Sequence, residues 1–288
     1  MGTNAVRFAV VLGTNDVASA IGVHLHRAGF CVVLSHDPNP PVMRRKMAFH
    51  DALFGDTVRV ENVTGERIES TMEVFKALGN PRHVLVTPLG LLDLLPVRTI
   101  DVLIDARMQR REVTPDLRGM TRLSIGIGPG FSPSANCDIA IETRPDRVGQ
   151  IVRQGWTLAT DDVGALVGVE CLVHSPHEGR WHTPIEIGTR IYKGFVIGHL
   201  SGAPVTAPHD GILRGIVRDG SDLPAGIALA EIDPRGRHAQ WTGIDAQGQA
   251  LAQATLAAMR LHVAHCIRTS ASLPADLPAD QIVSNDSD

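Results

Sequence analysis

A 32-residue internal repeat in the second half of the chain limits the available folds more than any other feature. Residues 173–179 (VHSPHEG) match residues 205–211 (VTAPHDG), 32 positions later. The same offset relates Gly194 to Gly226. Each unit reads as an apolar strand, a turn and an alternating strand. Because a unit of this size cannot bury its own apolar face, two units have to pair. The repeat therefore predicts a small all-β module over residues 166–245.

The pattern of this module resembles the biotinyl/lipoyl-like barrel-sandwich hybrid, over residues 173–234. Carrier domains of that fold present a modifiable lysine on the hairpin between their two halves. Here that hairpin is residues 201–204 (SGAP), and Lys193, the one lysine of this half, lies inside a repeat unit. The resemblance therefore implies the fold without the carrier chemistry, and a binding or assembly role.

Histidines are frequent in the same module. His174, His177 and His182 have a loose metal-ligand spacing, but no carboxylate or cysteine completes a recognisable set. His177 and its repeat mate His209 are expected at equivalent turn positions. We therefore predict no metal site.

The first 165 residues alternate short apolar strands with helical patterns. Strands are predicted at residues 8–12, 30–34, 57–60, 83–86, 101–106, 123–127 and 138–142, and helices from about 17 to Gly29 and at 42–53, 70–78 and 89–95. Fully apolar strands alternating with helices indicate a parallel sheet covered on both faces. We therefore predict the α/β class, with a Rossmann-like, mostly parallel sheet domain at residues 1–165 before the all-β module.

Ligands of such sheets bind beyond the carboxyl ends of the strands, near the switch in strand order. Three loops are predicted to lie there, after the strands that end at residues 12, 34 and 127. The first loop opens a helix and can hold an anion, and the third has enough glycine for backbone to approach a ligand closely. The residues of these loops predicted to bind a cofactor are Gly13, Thr14, Asn15, Asp16, Asp37, Gly126, Gly128 and Gly130.

Each loop also has a purely structural interpretation. Asn15 or Asp16 suits a helix N-cap, and the glycine-rich loop can simply turn the chain. Asp37 follows Gly13 by 24 residues, near the place of a ribose-binding acid, but the next glycine after Gly13 is Gly22. The full G-x-G-x-x-G fingerprint is therefore absent, and the nicotinamide signal is weak.

Arginines near these loops are further candidates. Arg44 and Arg45, with Lys46, form the densest basic cluster of the chain and are suited to clamp a phosphate. The alternative is a solvated helix face. Arg110 and Arg111 face either the site or solvent.

Composition excludes several classes of partner. The net charge is −4 and aromatic residues make up 4%, which argues against nucleic-acid binding. No apolar run approaches the roughly 20 residues of a membrane span. The four cysteines lie far apart, so neither a disulfide framework nor a zinc knuckle is indicated. We expect a cytoplasmic protein without a membrane or nucleic-acid partner.

The end of the chain is predicted as a helix followed by a tail. Apolar residues of the Ala-rich segment 246–269 are spaced for one helical face. Residues 270–288 repeat Leu-Pro-Ala-Asp and end in polar residues, which is typical of a disordered tail.

Taken together, the chain resembles the YqeB family. The stretches that carry the resemblance are residues 13–18, 26–30, 44–49, 102–106, 125–131, 141–143 and 207–211. The family is described as accessory factors of the selenium-dependent molybdenum hydroxylase system, distantly grouped with XdhC-type maturation factors. This implies a role in maturing or supplying a molybdenum enzyme, with that client or other maturation factors as partners.

Three functions are compatible with these features. The first is an accessory protein that binds an anionic cofactor, a molybdopterin form or a nucleotide, and does no bond chemistry of its own. The second is an NAD(P)-dependent oxidoreductase with His36 as its general acid. The third is a scaffold or regulatory subunit whose first loop is blocked, for example by Asn15. The sequence is also compatible with a homodimer.

Overall fold

The computed structural model describes residues 6–109, 114–158 and 171–271. The candidates Arg110 and Arg111, the predicted boundary at residue 165 and the predicted tail from residue 272 onward lie outside the described residues. We call residues 6–158 together with the C-terminal helix the sheet region. Residues 171–245 are called the repeat region.

The sheet region is built on nine strands. These are β1 (Arg7–Leu12), β2 (Phe30–Ser35), β3 (Val58–Val60), β4 (Val63–Arg67), β5 (Val84–Thr87), β6 (Val102–Asp105), β7 (Ser124–Ile127), β8 (Ile139–Ile141) and β9 (Ile151–Val152). Their order is β3-β4-β5-β2-β1-β6-β7-β8-β9. Only the edge strands β3 and β9 run antiparallel to their neighbours. The prediction of a mostly parallel sheet is confirmed, although β4 and β9 were not predicted.

Helices cover both faces of this sheet. They are α1 (Asp16–Arg27), α2 (Thr71–Ala77), α3 (Leu91–Leu94) and α4 (Ala246–Ala271). Apolar residues of α1 and α4 pack on one face, and those of α2 and α3 pack on the other. Within the described residues, no helix combines the length and the apolar character that crossing a bilayer requires.

The C-terminal helix returns to the sheet region after the repeat region. A Cβ on Gly248 of α4 would lie 3.1 Å from the Cβ of Ala20 on α1, so the two helices touch through small residues. The helix contains the predicted segment 246–269 and continues to Ala271, so residues 270 and 271 are helical rather than part of a tail. The repeat region is therefore inserted between two pieces of the sheet region.

The helix predicted at residues 42–53 is wrong. Two short 3-10 helices, Arg45–Met47 and His50–Phe54, take its place. The segment is held by outside partners: the backbone N–H of Phe49 donates to Ser19 Oγ, and the Met43 carbonyl accepts from the N–H of Ile216 in the repeat region. Contacts on both sides override a pattern that alone favours an α-helix.

The repeat region consists of two four-stranded antiparallel sheets. Its strands are β10 (Leu172–His174), β11 (Gly179–His182), β12 (Arg190–Ile191), β13 (Val196–Leu200), β14 (Ala203–Thr206), β15 (Gly211–Ile216), β16 (Asp222–Leu223) and β17 (Ala228–Asp233). One sheet has the order β10-β17-β15-β12, and the other has the order β14-β13-β11-β16. The 32-residue offset converts one order into the other. Each sheet takes two strands from each unit, which is the pairing of units that the repeat predicts.

Turns and hydrogen bonds follow the same offset. Gly194 and Gly226 have φ of +81° and +75°, a conformation that only glycine adopts without strain. Gly194 N–H donates to the Ala207 carbonyl, and Gly226 N–H donates to the Ser175 carbonyl, both at 2.9 Å. The sequence repeat is thus a repeat of backbone structure.

The two cores differ in the size of equivalent residues. Trp181 is fully buried in the first unit, where it packs against Gly198. The equivalent positions of the second unit are Leu213 and Ala230, both fully buried. The first unit combines the large Trp181 with a glycine, and the second combines the medium-sized Leu213 with an alanine. Both halves of the core are therefore filled.

Candidate functional site

A cavity of about 690 Å³ lies between the large sheet and the repeat region. On the sheet side, its wall comes from loops that follow β1, β2, β6, β7 and β8. On the other side, its wall comes from β10, the turn before β17, and β17 itself. The cavity therefore lies beyond the carboxyl ends of the parallel strands, where the sequence places the site.

The switch in strand order falls at this cavity. The chain builds outward from β1 through β2 to β5, then returns to add β6 on the other side of β1. The loops after β1 and β6 meet closely: a Cβ on Gly13, whose φ is +110°, would lie 3.0 Å from the carbonyl oxygen of Ala106. Gly13 is thus required by backbone packing, and it is not among the residues that line the cavity.

Asn15 is the N-cap of α1. Its Oδ1 accepts from the Ala18 N–H at 2.9 Å, and its Nδ2 donates to the Ala106 carbonyl at 2.8 Å. The structural interpretation of Asn15 is therefore confirmed, and Asn15 and Asp16 also line the cavity. Because both ends of the Asn15 amide are in use, it shapes the wall and its polar atoms are committed to the fold.

Thr14 lies in a buried cluster with two histidines. Its hydroxyl is 3.2 Å from His36 Nδ1 and 3.0 Å from His50 Nδ1. One hydroxyl donates a single hydrogen, so one imidazole accepts from Thr14 and the other donates to it. Burial lowers the pKa of His50 to about 3, helped by His36, Arg45 and Arg218. Burial also lowers the pKa of His36, against the pull of Asp37.

Arg44 joins the two regions across the cavity wall. Its Nε and Nη2 donate to the Glu231 carboxylate at 2.6 and 3.0 Å, and its Nη1 donates to Asp16 at 2.9 Å. Behind it, Arg214 donates to Glu231 at 2.9 Å and also pairs with Asp245. Burial opposes the charge of Arg44, but Asp16 and Glu231 outweigh it and raise the pKa.

Arg45 lies beside this network without lining the cavity. It donates to the Asp51 carboxylate at 2.7 Å and to the Ile216 carbonyl at 3.0 Å. Lys46 donates to the Ile187 carbonyl at 3.0 Å. The whole basic cluster is thus engaged with the repeat region or with its own segment, and none of it is a plain solvated helix face.

Asp37, the candidate for a ribose, is already paired. Its Oδ2 accepts from Arg107 at 3.2 Å and from the Gln109 amide at 3.0 Å. Arg107 is in turn bound to Asp105 at 2.7 Å. Asp37 is not among the residues that line the cavity, but its carboxylate contacts Arg107 and Gln109 of the loop after β6, and that loop does line it.

The glycine-rich loop shapes the cavity indirectly. A Cβ on Gly128, whose φ is +105°, would lie 3.1 Å from the sulfur of Met108. Gly126 packs against the Phe131 ring, and the Gly130 N–H donates to the Thr157 carbonyl at 3.1 Å. Met108 itself has a φ of +62°, an uncommon conformation for this residue type. The loop thus makes room for a strained methionine in the wall.

Sequence reasoning missed several residues of the wall. These are Asn39, Met43, Met108, Gln109, Leu172, Ile227, Ala228, Glu231 and Gln247. They come from elements distant in the chain, and single amides and methionines carry no motif. The repeat provides one signal for part of this wall. It makes residues 224–228 equivalent to residues 192–196, so the surroundings of the two segments can be compared.

No group of three or more His, Cys, Asp or Glu side chains suited to a metal occurs within the residues that the structure describes. His177 Nδ1 lies 2.8 Å from the Glu178 carbonyl, and His209 Nδ1 lies 3.0 Å from the Asp210 carbonyl. The two histidines therefore occupy equivalent turn positions, as the repeat predicts.

The fold and cavity define a mixed α/β protein with a large, mostly parallel sheet, two smaller antiparallel sheets and a cavity between them. No protein-family model matches the chain. It is similar to the uncharacterized protein YqeB of Escherichia coli (strain K12), with 29% identity over 262 residues that cover 88% of this chain and 48% of YqeB. The chain thus spans about half the length of that relative. The similarity supports the YqeB resemblance.

Likeness to solved structures is weak. An aspartoacylase family protein from Mesorhizobium loti is 9% identical over 80% of this chain and 86% of its own, with a TM-score of 0.24. The ectoine utilization protein EutE (DoeB) from Ruegeria pomeroyi is 11% identical over 79% and 85%, also with a TM-score of 0.24. Scores of this size support no conclusion about fold or function.

Proposed function

We propose that this chain is an accessory protein that binds a cofactor or nucleotide in the cavity between its sheet region and its repeat region. The observation that carries the proposal is the cavity itself, about 690 Å³ in volume and placed at the switch in strand order. That volume is within the range of small-molecule sites. The resemblance to the YqeB family adds the context of molybdenum-hydroxylase maturation and makes a molybdopterin form one candidate ligand.

The finer description of the fold belongs to the same proposal. A strand order that reverses beside β1 is typical of Rossmann-like sheets. Two sheets that each take strands from both repeat units fit a barrel-sandwich hybrid, and a short hairpin at Ser201 and Gly202 joins the two units. That hairpin contains no lysine, and Lys193 lies outside it. The repeat region would therefore bind the ligand and a client instead of carrying a covalent group.

The anion site predicted at Gly13–Asp16 with Arg44 and Arg45 stays a proposal. Helix α1 begins there, and its first-turn N–H groups lack partners within the helix. Arg44 could serve an anion only by exchanging Asp16 or Glu231 for it, because its guanidinium is bound to both. Mutation of Arg44 would therefore disturb the fold and the ligand together.

Neither alternative gains support from a particular contact. An oxidoreductase with NAD(P) would need Asp37 to leave Arg107 and Gln109 before it could bind a ribose. A ligand-free scaffold would need the first loop to fill the site, whereas the Asn15 amide is bound to Ala18 and Ala106 beside an open cavity.

The test compares two equivalent positions of the repeat. Ala228 lines the cavity, and its mate Val196 is 40% exposed. Native mass spectrometry of the protein purified from its own host should show a retained small molecule. Ala228→Trp, which fills the cavity, should lose it, and Val196→Trp should keep it. Loss in neither variant, or a wild-type protein without any adduct, would refute the proposed site.

A further inference from the structure

The outward turn of the repeat region, residues 192–196, is an apolar surface that the described part of the chain leaves uncovered. We call it the outer turn. All of its residues are exposed, and they include the aromatic rings of Tyr192 and Phe195. The repeat mate of Phe195 is Ile227, which faces the sheet region and lines the cavity there. One copy of the turn is therefore a contact surface within the molecule, whereas the same surface of the other copy faces solvent.

A second, smaller cavity of about 340 Å³ adjoins the outer turn, and we call it the arginine pocket. Arg190 of β12 and Arg237 of the segment after β17 line it. Neither guanidinium forms an ion pair or a side-chain hydrogen bond with any described residue. The Arg190 guanidinium lies over the Tyr192 ring, 5.5 Å from its centroid, and thereby joins the pocket to the outer turn. Asp210, also in the lining, accepts from the backbone N–H of Lys193 at 2.7 Å. With Lys193, the surface has three basic side chains and one acidic side chain.

The other repeat unit neutralises the equivalent place. Asp222 is the mate of Arg190, and it pairs with Arg180 at 3.7 Å. Arg180 is itself the mate of Ile212, a residue that lines the arginine pocket. One unit thus has an acid and an arginine where the other has an arginine and an isoleucine. The uncompensated positive charge belongs to one unit only, and carboxylates of a partner segment would complement it.

Residues 272–288 have the composition that fits such a surface. They contain four aspartates, at positions 276, 280, 286 and 288, and no basic residue. These four account for the whole net charge of −4, so the rest of the chain has as many basic as acidic residues. Leu277, Ile282 and Val283 lie between the aspartates. The segment therefore offers carboxylates for the arginine pocket and apolar side chains for the outer turn.

The segment is also long enough to reach this surface from the end of α4. The arginine pocket lies near the start of α4, because Trp241, just ahead of that helix, packs against Gly188, just ahead of β12. The 26 residues of α4 are about 39 Å long. The 17 residues from 272 to 288 span at most about 60 Å when extended. They can therefore return along the helix to the pocket with about 20 Å to spare.

We propose that residues 272–288 dock on this surface of their own chain, with aspartates at the arginine pocket and apolar side chains on the outer turn. A segment with this composition cannot bury enough apolar surface by itself, so the contact supplies what the segment lacks. Docked there, it covers the Tyr192 ring and competes with any acidic partner for the repeat region. The proposal does not depend on the ligand of the larger cavity.

Tyr192 is the one tyrosine of the chain, so its nitration by tetranitromethane measures how well this surface is covered. We expect slow nitration in the full chain at low salt. The combined variant Asp276→Asn, Asp280→Asn, Asp286→Asn and Asp288→Asn should be nitrated about threefold faster or more, because its segment has lost the complementary charge. Salt at about 1 M, where the Debye length is about 3 Å, should raise the rate of the wild type and leave that of the asparagine variant nearly unchanged.

Variants of the basic residues locate the contact. Arg237→Gln and, independently, Lys193→Gln should raise the nitration rate in the same direction as the asparagine variant. Arg180→Gln, which removes the paired arginine of the other unit, is the matched control and should stay within about twofold of the wild type.

A synthetic peptide of residues 272–288 should bind the asparagine variant of the full chain and protect Tyr192 again. The wild type should need about tenfold more peptide, because its own linked segment competes at an effective concentration of about 1 mM.

The outcomes that would overturn the proposal are distinct. Equal nitration of the wild type and the asparagine variant at every salt concentration would overturn the docking itself. Equal rates in Arg237→Gln, Lys193→Gln and Arg180→Gln would overturn the arginine pocket as its place. Protection that grows with protein concentration would show a contact between two chains and overturn the contact within one. A small molecule retained in the larger cavity is detected separately, by mass, so the two proposals can fail independently.

Discussion

The two equivalent turns of the repeat region have the same backbone and opposite surroundings. Residues 224–228 face the sheet region and help to enclose the cavity. Their mates at residues 192–196 face outward, with Tyr192 54% and Phe195 45% exposed. Pairing of the two units fixes the backbone of both turns. The proposed ligand site therefore depends on which copy the sheet region covers, and each copy is a control for the other.

The largest effect should come from the unequal cores of the two units. Trp181→Ala should lower the free energy of unfolding by about 3–5 kcal/mol, because it leaves a void beside Gly198. Leu213→Ala, at the mate position, should cost about 2–5 kcal/mol and fall below the tryptophan variant. Denaturant unfolding measures both. A loss below about 1 kcal/mol for Trp181→Ala would contradict the packing described here.

A second comparison isolates the ionic contact between the regions. Glu231→Gln removes the carboxylate that Arg44 and Arg214 share and leaves them only Asp16 and Asp245, so it should cost about 3 kcal/mol of unfolding free energy. His199 is the repeat mate of Glu231 and is exposed, so His199→Gln should change stability by less than about 0.5 kcal/mol. Equal effects of the two variants in chemical denaturation would show that the contact adds nothing.

A third prediction concerns pH and depends on one buried histidine of the sheet region. The pKa of His50 is lowered from 6.5 to about 3, so below pH 6.5 the unfolded chain binds a proton that the folded chain does not. Stability should therefore fall as pH drops from 6.5 toward 3, by about 1.4 kcal/mol per unit from this group. Thermal unfolding across this range measures the slope. His50→Gln should reduce the slope, and an unchanged slope would contradict the burial of His50.

The smallest effect should distinguish two equivalent glycines. Gly188 and Gly220 both have positive φ, so alanine at either should cost about 1 kcal/mol. A Cβ on Gly188 would lie 2.6 Å from Trp241 Nε1, whereas on Gly220 the nearest atom is Arg180 Nη2 at 3.7 Å. Gly188→Ala should therefore lose about 1–2 kcal/mol more than Gly220→Ala in denaturant unfolding. Equal losses would show that Trp241 moves freely.

Much of the fold follows from the sequence because its signals are local. Apolar runs identify the central strands. The repeat relates the strands of the second half in pairs, although the pattern predicted only two of the four strands in each unit. The missed strands, β4 and β9, lie next to one edge of the sheet and at the other edge, where fewer apolar residues are needed. The false helix at residues 42–53 shows the limit, since Phe49 and Met43 are fixed by partners distant in the chain.

The position of the cavity was easier to predict than the partners of individual residues. Strand topology places the loops after β1, β2 and β7 at one edge, and all three contribute residues to the cavity wall. Residue roles depend on partners that no local pattern reveals: Arg44 meets Glu231 some 190 positions away, and Asp37 meets Arg107. The intramolecular partners of these charged residues cannot be read from their spacing in the sequence.

The insertion of the repeat region has a consequence for synthesis on the ribosome. One face of the large sheet is completed only by α4, which emerges after the entire repeat region. Roughly 90 residues separate β9 from α4, so at about 5–20 residues per second the nascent sheet waits roughly 5–20 seconds for its last cover. During that interval an apolar surface beside α1 stays open to water and to chaperones. The order of translation, more than the final contacts, sets when this protein is most prone to aggregate.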